Sequence, residues 1–176
     1  MKKTICCNLF AGPGTGKSTI MAGLFAELKW RNIDCEMATE YAKDKVWEGA
    51  TDIFNCQHYI FGKQLFRTFR LNKKVQVIVT DSPILLSIIY DKSRSKNFYN
   101  SVLEEFNKYN NFNIFLRRVK KYNPNGRFQN LKDAIKLDKE IQSLLISADI
   151  PFKAFDGSRE TVNALADILE YRVKKQ

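Results

Sequence analysis

Ala11-Gly12-Pro13-Gly14-Thr15-Gly16-Lys17-Ser18-Thr19 decides how the rest of the chain is read. A short apolar run over 4–10 precedes it, and a stretch with helical spacing over about 16–31 follows. The glycines let the backbone turn with successive N–H groups pointing inward. Ahead of a helix N-terminus, such a turn is a nest for phosphate oxygens. At this spacing Lys17 reaches the β- and γ-phosphates of a nucleotide, and the Ser18 hydroxyl faces its Mg²⁺. Gly12, Pro13, Gly14, Thr15, Gly16, Lys17, Ser18 and Thr19 are therefore the expected nucleotide-binding residues. The pattern usually opens on glycine; Ala11 stands in that place. An ordinary glycine-rich turn needs neither the Lys-Ser pair nor the strand before and helix after, so the stretch reads as a nucleoside-triphosphate site.

Outward from this loop, short β-branched or apolar runs alternate with helical stretches. Strands are expected over 4–10, 34–38, 75–80, 113–116 and 152–155, by length and composition. Helices are expected over 40–47, 53–71, 84–90, 96–109, 131–147 and from Ser158 to about 173. In the 53–71 segment Phe54, Ile60, Phe61, Leu65, Phe66 and Phe69 read as one broad core-facing stripe. Asn130 and Ser158 are the expected caps of the last two helices. This alternation predicts an α/β fold with a mostly parallel sheet between helical layers. No repeat or proline-rich linker divides the 176 residues, so residues 1–176 are expected to form a single domain. The loop at about 118–130, with Pro124 and Gly126 between a strand and a helix, is the expected lid.

Composition excludes several classes. Apolar residues at 44% and charged residues at 27% are those of a globular chain, not a disordered or fibrous one. Lys and Arg number 29 against 19 Asp and Glu, for a net charge of +10 spread along both halves. Such an excess suits polyanionic partners, nucleotides and nucleic acids among them, or is simply a soluble basic surface. Cys6, Cys7, Cys35 and Cys56 show no CxxC spacing, and His58 is the one histidine, so no zinc site assembles. Adjacent Cys6 and Cys7 read as small core residues, and a reducing cytoplasm is expected. The Met-Lys-Lys start lacks a signal peptide's uninterrupted apolar stretch and cleavage site. No segment approaches the roughly 20 apolar residues of a membrane helix, so no membrane partner is expected.

A carboxylate should leave a strand next to the phosphate loop. Val77-Ile78-Val79-Thr80-Asp81-Ser82-Pro83 supplies it. Asp81 can hold Mg²⁺ or take a proton from an attacking hydroxyl, and can also cap the helix after it. Glu40 follows the second strand and should face the same cleft, because ligands bind at the carboxyl ends of parallel strands. It reads either as a holder of the acceptor or as a solvated helix start. Which of the two is the general base stays open, with Asp81 the first candidate. Arg117, Arg118, Lys120, Lys121, Arg127 and Lys132 form a tract without a carboxylate. Arg118 and Arg127 are candidates to swing over the transferring phosphate, as lid arginines, or else belong to a solvated loop. A second acid-free tract runs over 54–80; there Arg67 and Arg70 can hold an acceptor phosphate.

The loop, the Thr80-Asp81-Ser82-Pro83 strand end and the Arg117…Tyr122…Gly126-Arg127 lid together resemble the small P-loop kinases of the nucleoside and nucleotide kinase branch. They are most similar to the ribosylnicotinamide-kinase-like ATPases common in bacteriophages, and the likeness spans nearly the whole chain. The resemblance implies a five-stranded parallel sheet in the order 2-3-1-4-5 and ATP as donor. It further implies Lys17 and Ser18 on the phosphates and Mg²⁺, Asp81 near the acceptor hydroxyl, and lid arginines closing over the γ-phosphate. Some phage members of this group look like kinases of 5-hydroxymethylpyrimidines in DNA, a modification that would take place in the host cytoplasm. Motor-type AAA ATPases carry an acidic pair after the third strand; here Asp81 is followed by Ser82, which argues against a motor.

The expected function is Mg-ATP-dependent transfer of the γ-phosphoryl group to a hydroxyl of a nucleoside-like acceptor, free or within DNA. Two readings compete with it: a partner-gated ATPase or nucleotide switch, and a non-enzymatic nucleic-acid-binding module. Residue patterns do not report the acceptor's identity or the oligomeric state.

Overall fold

The structure, a computed structural model, describes residues 3–123 and 130–176. Five strands form one parallel sheet: β1 (Ile5–Phe10), β2 (Cys35–Ala38), β3 (Val77–Thr80), β4 (Asn110–Arg117) and β5 (Lys153–Asp156), in the order β2-β3-β1-β4-β5. The register pairs Cys7 with Val79 on one side and with Phe112 on the other, so β1 lies at the centre and is buried at every residue. An apolar strand buried on both faces is what a parallel sheet between helical layers requires. The expected fold class and strand order are those observed.

Alternation along β1 builds two cores. Ile5, Cys7 and Leu9 face α1 (Lys17–Trp30) and α7 (Glu160–Lys174), joining Ile20, Leu24, Leu28, Leu165 and Leu169. Cys6 and Phe10 face the other layer, made by α3 (Gln57–Phe69), α4 (Leu86–Tyr90), α5 (Lys96–Asn107) and α6 (Leu131–Ser147). The adjacent cysteines thus go to opposite cores, and both are buried. α2 (Tyr41–Trp47) follows β2 and leans on α3, whose Gln64 accepts the Tyr41 N–H at 2.9 Å. Among the described residues, no helix is long and apolar enough to cross a membrane.

Four expectations change. The helix expected over 53–71 is broken at Cys56, which has φ −116° and ψ 83°, between a 3₁₀ turn (Asp52–Asn55) and α3. No Ser, Thr, Asp or Asn marks that start, so the apolar period runs through it unseen. The stripe on α3 is also narrower than its sequence suggests. Ile60, Gln64 and Thr68 are buried, whereas Phe66 and Phe69 are 61% and 64% exposed. Finally, β4 starts at Asn110, three residues early. Its asparagines resemble a turn, but Asn111 and Asn113 accept both N–H groups of the buried Asn8 amide, each at 2.9 Å. The Ser158 cap also fails: α7 is preceded by Arg159, with no side-chain cap bond. Asn130 does cap α6, accepting the Asp133 N–H at 2.9 Å.

Candidate active site

Every strand delivers its next residues to one edge of the sheet, and the candidate site is assembled there. β1 leads into the loop at 11–16, β2 into Thr39 and Glu40, β3 into Asp81, β4 into Arg118 and β5 into Gly157. In the loop Gly14 and Gly16 have φ of +77° and +107°, left-handed values that favour residues without a Cβ. Thr15 ties the turn by donating its hydroxyl to the Gly12 carbonyl at 3.0 Å. The first helical bond of α1 runs from Ile20 N–H to Gly16 O, so the N–H groups of Lys17, Ser18 and Thr19 have no intrahelical partner and can serve an anion. Pro13 is half-buried at the loop's crest, and Thr19 is exposed in the first turn of α1.

Lys17 folds back over this nest. Its ammonium donates to Ala11 O at 2.7 Å and Gly12 O at 3.1 Å. Burial lowers its pKa, opposed in order by the negative charges of Glu40, Asp81 and Asp138, while Arg118 adds to the lowering. The Ser18 hydroxyl donates to Asp81 Oδ2 at 2.6 Å. Asp81 itself is 3% exposed, and its Oδ1 is buried without a hydrogen-bond partner among the described residues. Its carboxylate therefore turns to the phosphate loop instead of capping the helix that follows. A buried carboxylate oxygen awaiting a partner beside a serine hydroxyl fits a hard cation. No group of three or more His, Cys, Asp or Glu that could hold a metal exists among the described residues. Mg²⁺ suits such a sparse site, since it takes one or two protein oxygens and completes its shell with phosphate and water.

Glu40 sits between β2 and α2, at the N-cap position of α2 without a capping bond. Burial raises its pKa; the Lys17 ammonium opposes the rise and the Asp81 charge adds to it. It belongs to the site. Tyr90, at the end of α4, is 41% exposed overall, yet desolvation of its hydroxyl, then the charges of Glu40, Asp138 and Glu140, raise its phenol above the usual range. Neither the spacing nor the composition of the chain had singled out Tyr90.

Arg118 leaves β4 and lies along the loop. Its Nε and Nη2 donate to Asp138 Oδ2 at 3.0 and 2.8 Å, while Nη1 is buried without a partner among the described residues. Asp138, on α6, accepts the Gly12 N–H with its other oxygen at 2.6 Å. One carboxylate thus joins Arg118 and the glycine-rich loop. Asp138 was invisible in sequence, being one acid among the charges of Lys136-Leu137-Asp138-Lys139-Glu140. Tyr122 lies over the turn, under the Arg118 guanidinium at 5.9 Å, and a Cβ on Gly14 would meet its ring at 2.7 Å. Gly157 approaches as closely from β5: a Cβ there would sit 2.5 Å from Thr15 O. Arg127, expected to belong to a lid, and the segment 124–129 lie outside the described residues.

The two arginines expected to hold an acceptor phosphate are placed apart. Arg67 is already paired: it donates to Thr39 O at 3.1 Å and Thr39 Oγ1 at 2.7 Å, bridges to Asp44, and lies over the Tyr41 ring. It braces the β2–α2 corner that carries Glu40. Arg70 caps the far end of α3, which leads toward the start of β3, on the sheet edge opposite the loop. Helical spacing places Arg67 and Arg70 on one face, but only the path of the helix shows that the second points away.

A family described as an AAA domain matches residues 7–161. No curated protein sequence matches the chain. Among solved structures, deoxyadenosine kinase from M. mycoides with bound dATP aligns at a TM-score of 0.56 and 18% identity, covering 96% of this chain and 99% of that one. The same enzyme with its products dCMP and a flexible dCDP aligns at 0.55 and 17% identity, covering 97% and 100%. At such identities the likeness is one of fold. Matched from the middle of its first strand into its last helix, with the glycine-rich loop between, the chain belongs to the AAA domain family and shares its fold with a deoxyadenosine kinase.

Proposed function

We propose that the protein is an Mg-ATP-dependent kinase that transfers the γ-phosphoryl group to a hydroxyl of a nucleoside-like acceptor. The observation that carries this reading is the convergence on one nest of Ser18, Asp81 with its unpartnered buried oxygen, Lys17, and Arg118 with its free Nη1. Phosphoryl transfer needs little covalent chemistry from a protein; it needs positioning and neutralisation of charge on the phosphate oxygens. The nest and Lys17 hold the triphosphate, and Arg118 Nη1 meets the γ-phosphate. Ser18 and Asp81 would hold Mg²⁺, which would supply neutralisation of phosphate charge. With Asp81 assigned to that task, Glu40 becomes the general base. Its raised pKa makes it a competent acceptor for the hydroxyl proton as oxygen bonds to the γ-phosphorus and ADP leaves.

Acceptor class is supported by the fold shared with an enzyme whose structures hold dATP, dCMP and dCDP. A hydroxymethylated base within DNA is a narrower alternative that the net charge of +10 accommodates. Radiolabelled ATP offered with nucleosides, nucleotides and hydroxymethylated DNA tests both. Label should move to one acceptor, and Lys17→Ala should abolish the transfer while costing about 1 kcal/mol of stability from its lost loop bonds. Transfer to water alone across the panel would instead favour a partner-gated ATPase, a reading consistent with membership of the AAA domain family.

A further inference from the structure

α3 shows the sheet Ile60, Gln64 and Thr68 and turns its opposite face to solvent. At about 100° per residue, Tyr59, Lys63, Phe66 and Arg70 fall in one line along that outer face, with Phe69 beside them. Tyr59 is 43% exposed, less than either phenylalanine but enough to present its ring. Gly62 lies between, and a Cβ there would meet nothing within 4 Å, so the ground between the rings is open. Lys63 Nζ stands over the Tyr59 ring at 5.4 Å. From 54 to 80 the chain holds no Asp or Glu. Past the C-terminal end of α3 is a surface hollow of about 310 Å³ lined by Phe69, Arg70, Asn72, Lys73 and Lys74: one ring, one amide, three cations and no acid.

We infer that the outer face of α3 and the hollow at its end bind single-stranded nucleic acid, with bases stacked on Tyr59, Phe66 and Phe69 and phosphates along Lys63, Arg70, Lys73 and Lys74. Exposed rings interleaved with cations are the arrangement that unpaired strands select, because every base has a face to stack and every linkage a charge. A duplex keeps its bases stacked on one another and leaves these rings idle. An apolar partner helix would have to desolvate four cations with no carboxylate to meet them. A flat bilayer does not fill a hollow walled by an amide. The inference is independent of phosphotransfer, since none of these residues touches the phosphate nest.

The test is fluorescence anisotropy of a labelled oligothymidylate, about 15 nucleotides long, titrated with the full chain at several salt concentrations. Four phosphate contacts predict a slope of about −3 for log affinity against log salt. Phe66→Ala with Phe69→Ala should weaken binding about tenfold or more and leave that slope unchanged. Lys63→Ser, Arg70→Ser and Lys74→Ser together should flatten it by about 2. All these positions are on the surface, and unchanged melting temperatures verify that the variants fold. Several results would overturn the inference: no anisotropy change up to about 100 µM protein, the weak end of ordinary non-specific affinity; binding that neither set of variants moves; a duplex of equal length bound as tightly with no cost from losing the rings; a dimer in light scattering that the ring variants split; or phosphatidylserine vesicles that capture the protein and are not displaced by oligothymidylate. A chain inactive as a kinase that binds the strand in the expected way leaves it standing. An active kinase that ignores the strand removes it alone.

Discussion

Asp138 holds the start of the phosphate loop with one oxygen and the Arg118 guanidinium with the other, at side-chain exposures of 17% and 13%. Replacing it with asparagine keeps an acceptor for Gly12 but sets an amide against the guanidinium. Asp138→Asn should therefore lower stability by about 3 kcal/mol, because a mostly buried arginine loses its counter-charge. It should also lower kcat with little change in ATP affinity. Arg118→Ala should give the same kinetic loss, and the double variant should be no worse, since the two act as one unit. Additive losses in a double-mutant cycle would separate them. Glu40 makes a prediction of opposite sign for stability. Its folded-state pKa lies above that of the unfolded chain, so its contribution is favourable below the ordinary carboxylate value and is lost as pH rises through the raised one. Glu40→Gln should then raise the melting temperature at neutral pH while lowering kcat by about 10²-fold or more. In the wild type the acid limb of the pH–rate profile should lie above the usual carboxylate range, because only the ionised form accepts a proton. That limb should vanish in the glutamine variant.

Among the elements, β1 carries an amide where its sequence is otherwise apolar. Asn8 is 2% exposed and is satisfied by two asparagines of β4, of which Asn113 passes the bond on to Pro151 O at 3.1 Å and Asn111 to Phe106 O at 2.7 Å. The ladder fixes the register of β4 against β1, which in turn sets where Arg118 leaves the sheet. Asn8→Ala strands the buried side-chain carbonyl oxygen of Asn113 and the half-buried one of Asn111, and should cost about 2 kcal/mol, read as a lowered denaturation midpoint at unchanged slope. A loss below about 1 kcal/mol would mean that the amides find other partners. Here the sequence was legible in part. It marked Asn8 as an interruption of an apolar run, but asparagines at 110, 111 and 113 look like a turn until β1 is placed beside them. α3 is the converse: a helical period reports that an amphipathic helix exists, not how wide its buried stripe is, so Phe66 and Phe69 read as core.

For the molecule as a whole, a ligand that binds only the folded state stabilises it by mass action. Mg-ATP at 100 times its Kd should add about 2.7 kcal/mol. For a chain of this size that is a rise in melting temperature of roughly 5–10 °C. The part of the rise that depends on Mg²⁺ should disappear in Asp81→Asn, while metal-free ATP still shifts the transition. Differential scanning calorimetry with and without chelator measures both. An unmoved transition in wild type would remove the nucleotide site and the proposed chemistry with it.

The phosphate loop, the parallel sheet and the strand-end carboxylates could be read from the sequence alone, because each leaves a local signature in the chain: glycines before a helix, apolar runs of strand length alternating with helical stretches, an acid directly after β-branched residues. Joining Asp138 to Gly12 and Arg118, pairing Arg67 with Asp44, sending Arg70 to the far edge and leaving two phenylalanines in solvent were decided only by tertiary structure. Those outcomes turn on which helix lies beside which strand and at what angle, and side chains that meet across 20 or 126 positions leave no spacing to read.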